Sequence, residues 1–82
     1  MKIVWDEPKR QRNIAKHGFD FAELTLEFFE ALTVLPGRGG RLISVGDLNG
    51  VVVVTVVFAP RGTEAISIIS MRPASRKERT LR

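Results

Sequence analysis

The residues best equipped for chemistry in this 82-residue chain are its single histidine, His17, and a scatter of arginines. His17 stands between Lys16 and Gly18. Much later, the apolar run Ile68-Ile69-Ser70-Met71 ends on Arg72-Pro73-Ala74. Breaking an RNA chain needs a 2′-OH activated, charge on the phosphate neutralised and the leaving oxygen protonated. A histidine titrates near neutral pH and can move the protons. Arginines grip phosphate with paired N–H groups and, away from water, stabilise the charge that builds up in the transition state. The candidate catalytic residues are therefore His17, Arg61, Arg72 and Glu78, with Lys9, Lys16, Arg76 and Arg79 as RNA-binding cations. Each has a plainer use. His17 at a helix C-terminus stabilises that end as a cap. Glu78 is either a base or an ion-pair partner of Arg79 or Arg82. Arg61 at a hairpin tip is either a phosphate contact or a solvated charge. Trp5 fits a core anchor better than a base-stacking platform.

Composition narrows the field. Eighty-two residues is one domain, 1–82, near the lower limit for a core that holds without staples. There is no Cys, which excludes disulfides and thiolate metal sites, and one His argues against an all-protein zinc site. No cofactor or metal is expected. Asp6, Glu7 and Pro8 follow directly on Trp5, so the amino terminus lacks a signal pattern. The longest apolar stretch, Val51 to Ala59, is interrupted by Thr55 and too short for a membrane helix. A cytoplasmic protein with no membrane partner is the expectation. The net charge is +4, and it is unevenly spread. Residues 1–20 hold five Lys/Arg against three acids, 61–82 six against two, and 21–60 two against four. If the fold joins the two ends, they make one basic surface suited to a polyanion.

The elements that must position these residues follow from pattern. Lys2–Trp5 alternates as a short strand. Asp6 is a helix N-cap, Pro8 is tolerated in the first turn, and a helix through Lys9–Lys16 stops at Gly18. Asn13 and His17 share a face with Arg10. A second helix is opened by Asp20 with Glu23, carries Phe21, Leu24 and Phe28 as an apolar stripe, and has Glu23, Glu27 and Glu30 as an acidic edge. Gly37-Arg38-Gly39-Gly40 is a connection, since it lacks the Lys-Ser/Thr and following helix of a phosphate-binding loop. Arg41–Val45 alternates as a strand, and Asp47–Gly50 is a turn around Asn49-Gly50. Val51–Ala59 predicts a strand covered on both faces. After a hairpin loop at residues 60–64, Ala65–Met71 is the next strand. Pro73 starts a last helix through Arg82, aligning Arg72, Arg76 and Arg79. The fold class is α+β: N-terminal helices packed on an antiparallel β-sheet meander, with a short C-terminal helix.

Two stretches together resemble a known family. Ile3-Val4-Trp5-Asp6-Glu7-Pro8-Lys9, then Asn13, then Lys16-His17-Gly18-Phe19-Asp20-Phe21 is similar to the opening of the BrnT toxins. Ile68-Ile69-Ser70-Met71-Arg72-Pro73-Ala74 with Glu78-Arg79 resembles their closing motif. The resemblance spans nearly the whole chain in order. It implies a RelE-like fold and the toxin of a type II toxin–antitoxin pair: a metal-independent ribonuclease that suppresses translation and arrests growth. It also implies silencing by a BrnA-type antitoxin with a ribbon-helix-helix part, and contact with operator DNA only through that complex. Lys16 and His17 match the family's Lys-His-Gly, Arg61 matches an Arg in the hairpin before the last strand, and Arg72 with Glu78 matches the closing motif. Two departures stand out: Ser67 where the family commonly has Arg, and no Tyr after the Glu-Arg pair. Losing the Arg removes a phosphate contact, and losing the Tyr removes a stacking or proton-transfer group. The alternative is a catalytically inactive module that binds antitoxin or RNA without cutting.

Overall fold

The computed structural model describes residues 1–30, 34–50 and 52–80. Val51 and the expected end of the last helix, Leu81 and Arg82, lie outside the described residues, and so does any pairing of Glu78 with Arg82. The chain is α+β, with strands β1 (Lys2–Trp5), β2 (Val34–Pro36), β3 (Leu42–Leu48), β4 (Val52–Arg61) and β5 (Ala65–Pro73) in the order β1-β5-β4-β3-β2. The meander runs antiparallel from β2 to β5, as the short hairpin links require. β1 departs from it by pairing parallel with β5, Lys2 opposite Ala65 and Trp5 opposite Ile68. A parallel pair needs a long connection, and everything from the first helix to β4 supplies one.

Helix α1 (Glu7–His17) follows the sequence closely. Asp6 holds the extended N-cap conformation, Pro8 lies in the first turn, and Gly18 (φ 77°) ends the helix by donating its N–H to the Ile14 carbonyl at 2.8 Å. The expected second helix is broken. Asp20 caps a single 3-10 turn at Phe21–Glu23 by accepting from the Ala22 N–H at 2.9 Å, Leu24 is extended, and helix α2 (Leu26–Glu30) starts afresh. The turn is tighter than an α-helix because its backbone bonds span three residues, from the Glu23 N–H to the Asp20 carbonyl and from the Leu24 N–H to the Phe21 carbonyl, each at 3.1 Å. The apolar stripe survives the break, because Phe21 and Leu24 are buried and Phe28 packs against the core.

The last helix is also shorter than expected. Pro73 ends β5, Ala74 bonds back to the Val53 carbonyl at 3.0 Å, and Ser75 caps α3 (Arg76–Arg79) in a capping box with Glu78. Arg72 therefore sits on a strand, and the expected alignment of Arg72, Arg76 and Arg79 on one helix face does not form. β2 has no clear pattern in the sequence, since Pro36 removes a donor and restricts such a strand to a sheet edge.

One irregularity decides which side chains point where. Val57 pairs with Ser70 and Phe58 with Ile68, so Ile69 is an extra residue bulged out of β5. Strict alternation from Ile66 and Ile68 would send Ser70 and Arg72 into the core. The bulge shifts the phase, so that Ile66, Ile68 and Met71 are buried. Ser67, Ser70 and Arg72 then share the opposite face with Thr55, Val57, Ala59 and Arg61 of β4. The core lies on one side of the sheet, where Val54, Val56, Phe58, Ile66, Ile68 and Met71 meet Phe21 and Leu24. Trp5 packs edge-on to Phe21 with centroids 6.4 Å apart, consistent with an anchor. The expectation that β4 is covered on both faces holds only at its centre, where Thr55 is fully buried on the second face; Val53 and Val57 are half-buried.

α1 is pinned to the sheet by one buried side chain. β1 occupies the edge of β5 only as far as Ile68. Beyond it, Asn13 donates to the Met71 carbonyl at 2.8 Å and accepts from the Met71 N–H at 3.1 Å, and it also donates to the Phe19 carbonyl at 3.0 Å. Replacing Asn13 with Ala strands both Met71 backbone groups, each buried unpaired group costing about 1–3 kcal/mol. Urea denaturation of Asn13→Ala is expected to show a loss of about 3 kcal/mol by the same principle, at an unchanged slope. A loss below about 0.5 kcal/mol, the range of an ordinary surface change, would show that α1 is held by something else.

Candidate functional site

Two clefts lie along the helix-facing border of the open sheet face. The first, about 490 Å³, is bounded by Lys9, Arg12, Asn13, Lys16 and His17 of α1 and by Ile69, Ser70 and Arg72 of β5. The second, about 560 Å³, lies between Lys9, the Val4–Asp6 segment, Ser67 and Arg61. Lys9 belongs to both, and residues 67–70 of β5 supply floor to one or the other.

The helix side is cationic because Lys9, Arg12 and Lys16 recur at i, i+3 and i+7, which puts them on one face. Among the described residues these three form no ion pair. Arg10 is turned away from them. Its Nε and Nη2 donate to the two oxygens of Asp20 at 2.7 and 3.0 Å, and its Nη1 donates to Glu7. Those bonds hold the Arg10 guanidinium firmly protonated and lower the Asp20 carboxyl below its usual range, the Arg10 bond being the main cause. Arg10 thus ties the start of α1 to the segment after it, and its charge is spent there.

Arg72 on β5 is held differently. Its Nη1 and Nη2 donate end-on to Glu78 Oε1 and Oε2 at 2.7 and 2.8 Å, and Nη1 also reaches the Pro73 carbonyl at 3.4 Å. The side-on pair, the Nε–H and the remaining Nη2–H, makes no bond to any described residue. Glu78 is itself fixed from two further directions. Thr55 Oγ1 donates to Oε1 at 3.0 Å, and the Ser75 N–H donates to the same oxygen at 2.9 Å. The Arg72 bonds, helped by Ser75 and Thr55 and opposed by burial, lower the Glu78 carboxyl to about 2. Glu78 also raises the Arg72 guanidinium above its ordinary value.

The fold gathers the sequence candidates unequally. Lys9, Lys16, His17 and Arg72 line the first cleft, Arg61 lines the second with Lys9, and Glu78 lies behind Arg72. Arg76 and Arg79 are exposed on α3 and border neither cleft. Glu78 pairs with Arg72 and not with Arg79, the one expected partner among the described residues. Arg12, Ser70 and Thr55 were missed. Arg12 was legible in the helical spacing from Lys9 to Lys16. Ser70 and Thr55 were not, since Ser70 depends on the Ile69 bulge and Thr55 on α3 folding back to bring Glu78 to it. Among the described residues no group of three or more His, Asp or Glu side chains is placed to hold a metal.

A family model described as "Ribonuclease toxin, BrnT, of type II toxin-antitoxin system" matches residues 5–78, a span that includes α1, Arg61, Arg72 and Glu78. The crystal structure of the Brucella abortus ribonuclease toxin BrnT is 56% identical, with a TM-score of 0.88 over 93% of this chain and 99% of that one. No curated protein matches the sequence.

The Glu78 carboxyl lies below its unfolded value of about 4.5. Its contribution to stability is therefore complete above that pH and is lost as the pH falls towards about 2. Urea titrations across this interval are expected to show a steeper acid loss for the wild type than for Glu78→Gln. Equal slopes would mean that the pair does not persist in solution.

Proposed function

Because the chain belongs to the BrnT family of ribonuclease toxins of type II toxin–antitoxin systems, we propose that it cleaves RNA in the groove formed by the two clefts. The observation that carries this reading is Arg72. It is held in one geometry with a two-hydrogen fork that bonds no described residue, on a cleft whose other wall is Lys9, Arg12, Lys16 and His17. A phosphate takes such a fork side-on. In the proposed reaction His17 accepts the proton of a 2′-OH as it attacks the adjacent phosphorus. Arg72 neutralises the non-bridging oxygens, and the His17 imidazolium returns the proton to the departing 5′-oxygen. The products are a 2′,3′-cyclic phosphate and a 5′-OH end. Glu78, held at about 2, is a poor proton acceptor at neutral pH, and its service is to orient Arg72. Lys9 and Arg61 extend the phosphate track into the second cleft. Arg76 and Arg79 belong to its outskirts.

The same reading makes the chain a single domain acting in the cytoplasm without a metal, stopping translation and growth by destroying RNA. Its partner is a protein antitoxin of the BrnA type, and it meets operator DNA only inside that complex. No helix among the described residues is long and apolar enough to cross a membrane. Binding without cleavage is the second reading, and Ser67 is what favours it. Ser67 faces the second cleft where the family commonly has Arg. Arg61 and Lys9 flank it there, and the first cleft does not involve it, so the reaction centre is left whole.

Induced expression in a bacterial host should arrest growth with loss of total RNA, and co-expression of the neighbouring open reading frame should rescue it. Arg72→Ala should abolish arrest while leaving the circular dichroism spectrum unchanged; undiminished toxicity would remove Arg72 from the reaction. Binding of single-stranded RNA to a cleavage-deficient His17→Ala protein should weaken with salt at a log–log slope of about −3, the value for roughly four phosphate contacts. Alanine at Arg12 should flatten that slope by about 0.7, one phosphate's share.

A further inference from the structure

The groups around Glu78 carry an assignment that the sequence motifs do not contain. Thr55 lies at the centre of β4, far from either motif in the chain, and its side chain is completely buried. A buried hydroxyl in a valine-rich strand needs a partner, or it costs the strand stability. Thr55 has one: its Oγ1–H donates to Glu78 Oε1 at 3.0 Å. The register places Thr55 directly opposite Arg72 on the same face of the sheet. Three residues from β4, β5 and α3 thus close one small circuit, with the carboxylate as its centre and the Arg72 guanidinium as its only member on the cleft.

We propose that Thr55 is a positioning residue for Arg72, acting through the Glu78 carboxylate to aim the free Nε–H and Nη2–H at the bound phosphate. Glu78 alone is too loosely specified for this. Its carboxylate sits on a helix of only four residues, α3, anchored by the Ser75 cap. That cap puts one bond on the carboxylate, from the Ser75 N–H to Oε1, and one bond to one oxygen lets the carboxylate plane swing about it. Thr55 reaches the same oxygen from the sheet side, and the two donors together hold the plane. Oε2 is then left to Arg72 Nη2, and the end-on fork has one orientation. Valine at 55 keeps the shape of the side chain and removes the donor. The strand packs as before, the carboxylate gains a rotation, and the arginine loses its fixed aim. Serine keeps the donor.

The inference rests on the catalytic reading of Arg72 above, and its test separates the two. Cleavage of total RNA from the bacterial host is followed by initial rate. Affinity for a single-stranded oligoribonucleotide is measured separately by fluorescence anisotropy, for the wild type, Thr55→Val, Thr55→Ser and Arg72→Ala. All proteins are assayed at a temperature where denaturation curves show them folded. Losing a hydrogen bond to a charged group corresponds to about a tenfold effect. Thr55→Val is therefore expected to lower the saturating rate about tenfold with affinity within about twofold, because Lys9, Arg12 and Lys16 still hold the RNA. Thr55→Ser is expected to stay within about threefold of the wild type. A folded Thr55→Val protein at the wild-type rate, alongside an inactive Arg72→Ala, would overturn the role of Thr55 and leave Arg72 standing. Loss in Thr55→Ser equal to that in Thr55→Val would also overturn it, since the hydroxyl would then not be the operative group. Wild-type protein that cleaves nothing, or Arg72→Ala at full rate, would remove the parent reading and this inference with it.

Discussion

A single amide side chain determines where the cleft can be. β5 would otherwise end its partnership with β1 at Ile68 and expose the Met71 N–H and carbonyl along an open edge. Asn13 supplies a donor and an acceptor in the spacing of a peptide group and occupies that edge as a neighbouring strand would. Its third bond, to the Phe19 carbonyl, sets the path of the chain just after the helix stop at Gly18. Because Asn13 is fixed, the rotation of α1 about its axis is fixed too. Lys9, Arg12, Lys16 and His17 can then face only the groove beside β5. Arg10 reinforces this from the far side by reaching Asp20. The cationic wall is therefore a consequence of docking: the helix has few apolar residues, and polar bonds at its middle and flanks replace the hydrophobic face that most surface helices use.

The bulge at Ile69 has comparable weight on the other wall. Sheets hold side chains in strict alternation, and a strand that sends Ile66, Ile68 and Met71 inward cannot satisfy it throughout, because the last two are three residues apart. Adding one residue at Ile69 resolves the conflict without a break in the strand. Met71 reaches the core, and the arginine next to it emerges on the opposite face. The same shift brings Arg72 level with Thr55, so core packing and site geometry are settled by one backbone feature.

Much of this was legible beforehand. Asp6, Pro8 and Gly18 bracket α1, although the Asp6 side chain makes no cap bond, because the extended entry, the proline in the first turn and the left-handed stop are local effects written in a few adjacent residues. The strands from β3 to β5 and the Asn49-Gly50 turn are likewise carried by local pattern, and both motifs of the site stand out as clusters of polar groups beside apolar runs. What escaped depends on distance. The parallel place of β1 requires knowing where β5 will lie, long after β1 in the chain. Asp20 closes a 3-10 turn, which cuts short a helix that the apolar stripe alone would extend. The partner of Glu78 also escaped: the expectation looked along the chain to Arg79, while the fold delivers Arg72 from a strand. Thr55 gave no signal at all, being a polar residue in a run of valines whose meaning appears only when α3 covers it.

The cations of α1 together with Arg72 show three states, and the difference has a physical consequence. Arg10 is fully engaged and serves the fold. Lys9, Arg12 and Lys16 are unpaired among the described residues; each loses rotamer freedom only when a polyanion arrives, a cost of about 2 kcal/mol per side chain if fully immobilised. Such groups give affinity that is long-ranged, tolerant of sequence and strongly dependent on salt. Arg72 lies between these extremes. Its end-on hydrogens are committed to Glu78, so its conformational entropy was lost when the chain folded, yet its side-on hydrogens remain available. An arginine prepared in this way makes its contact with the phosphate at little further entropic cost, and it stabilises developing charge without first reorganising. A free lysine at position 72 would supply the same charge without that preparation. Under the function proposed above, the cluster of Thr55, Ser75 and Glu78 behind a single cation is the part of the fold that would turn general attraction for RNA into directed chemistry at one phosphate.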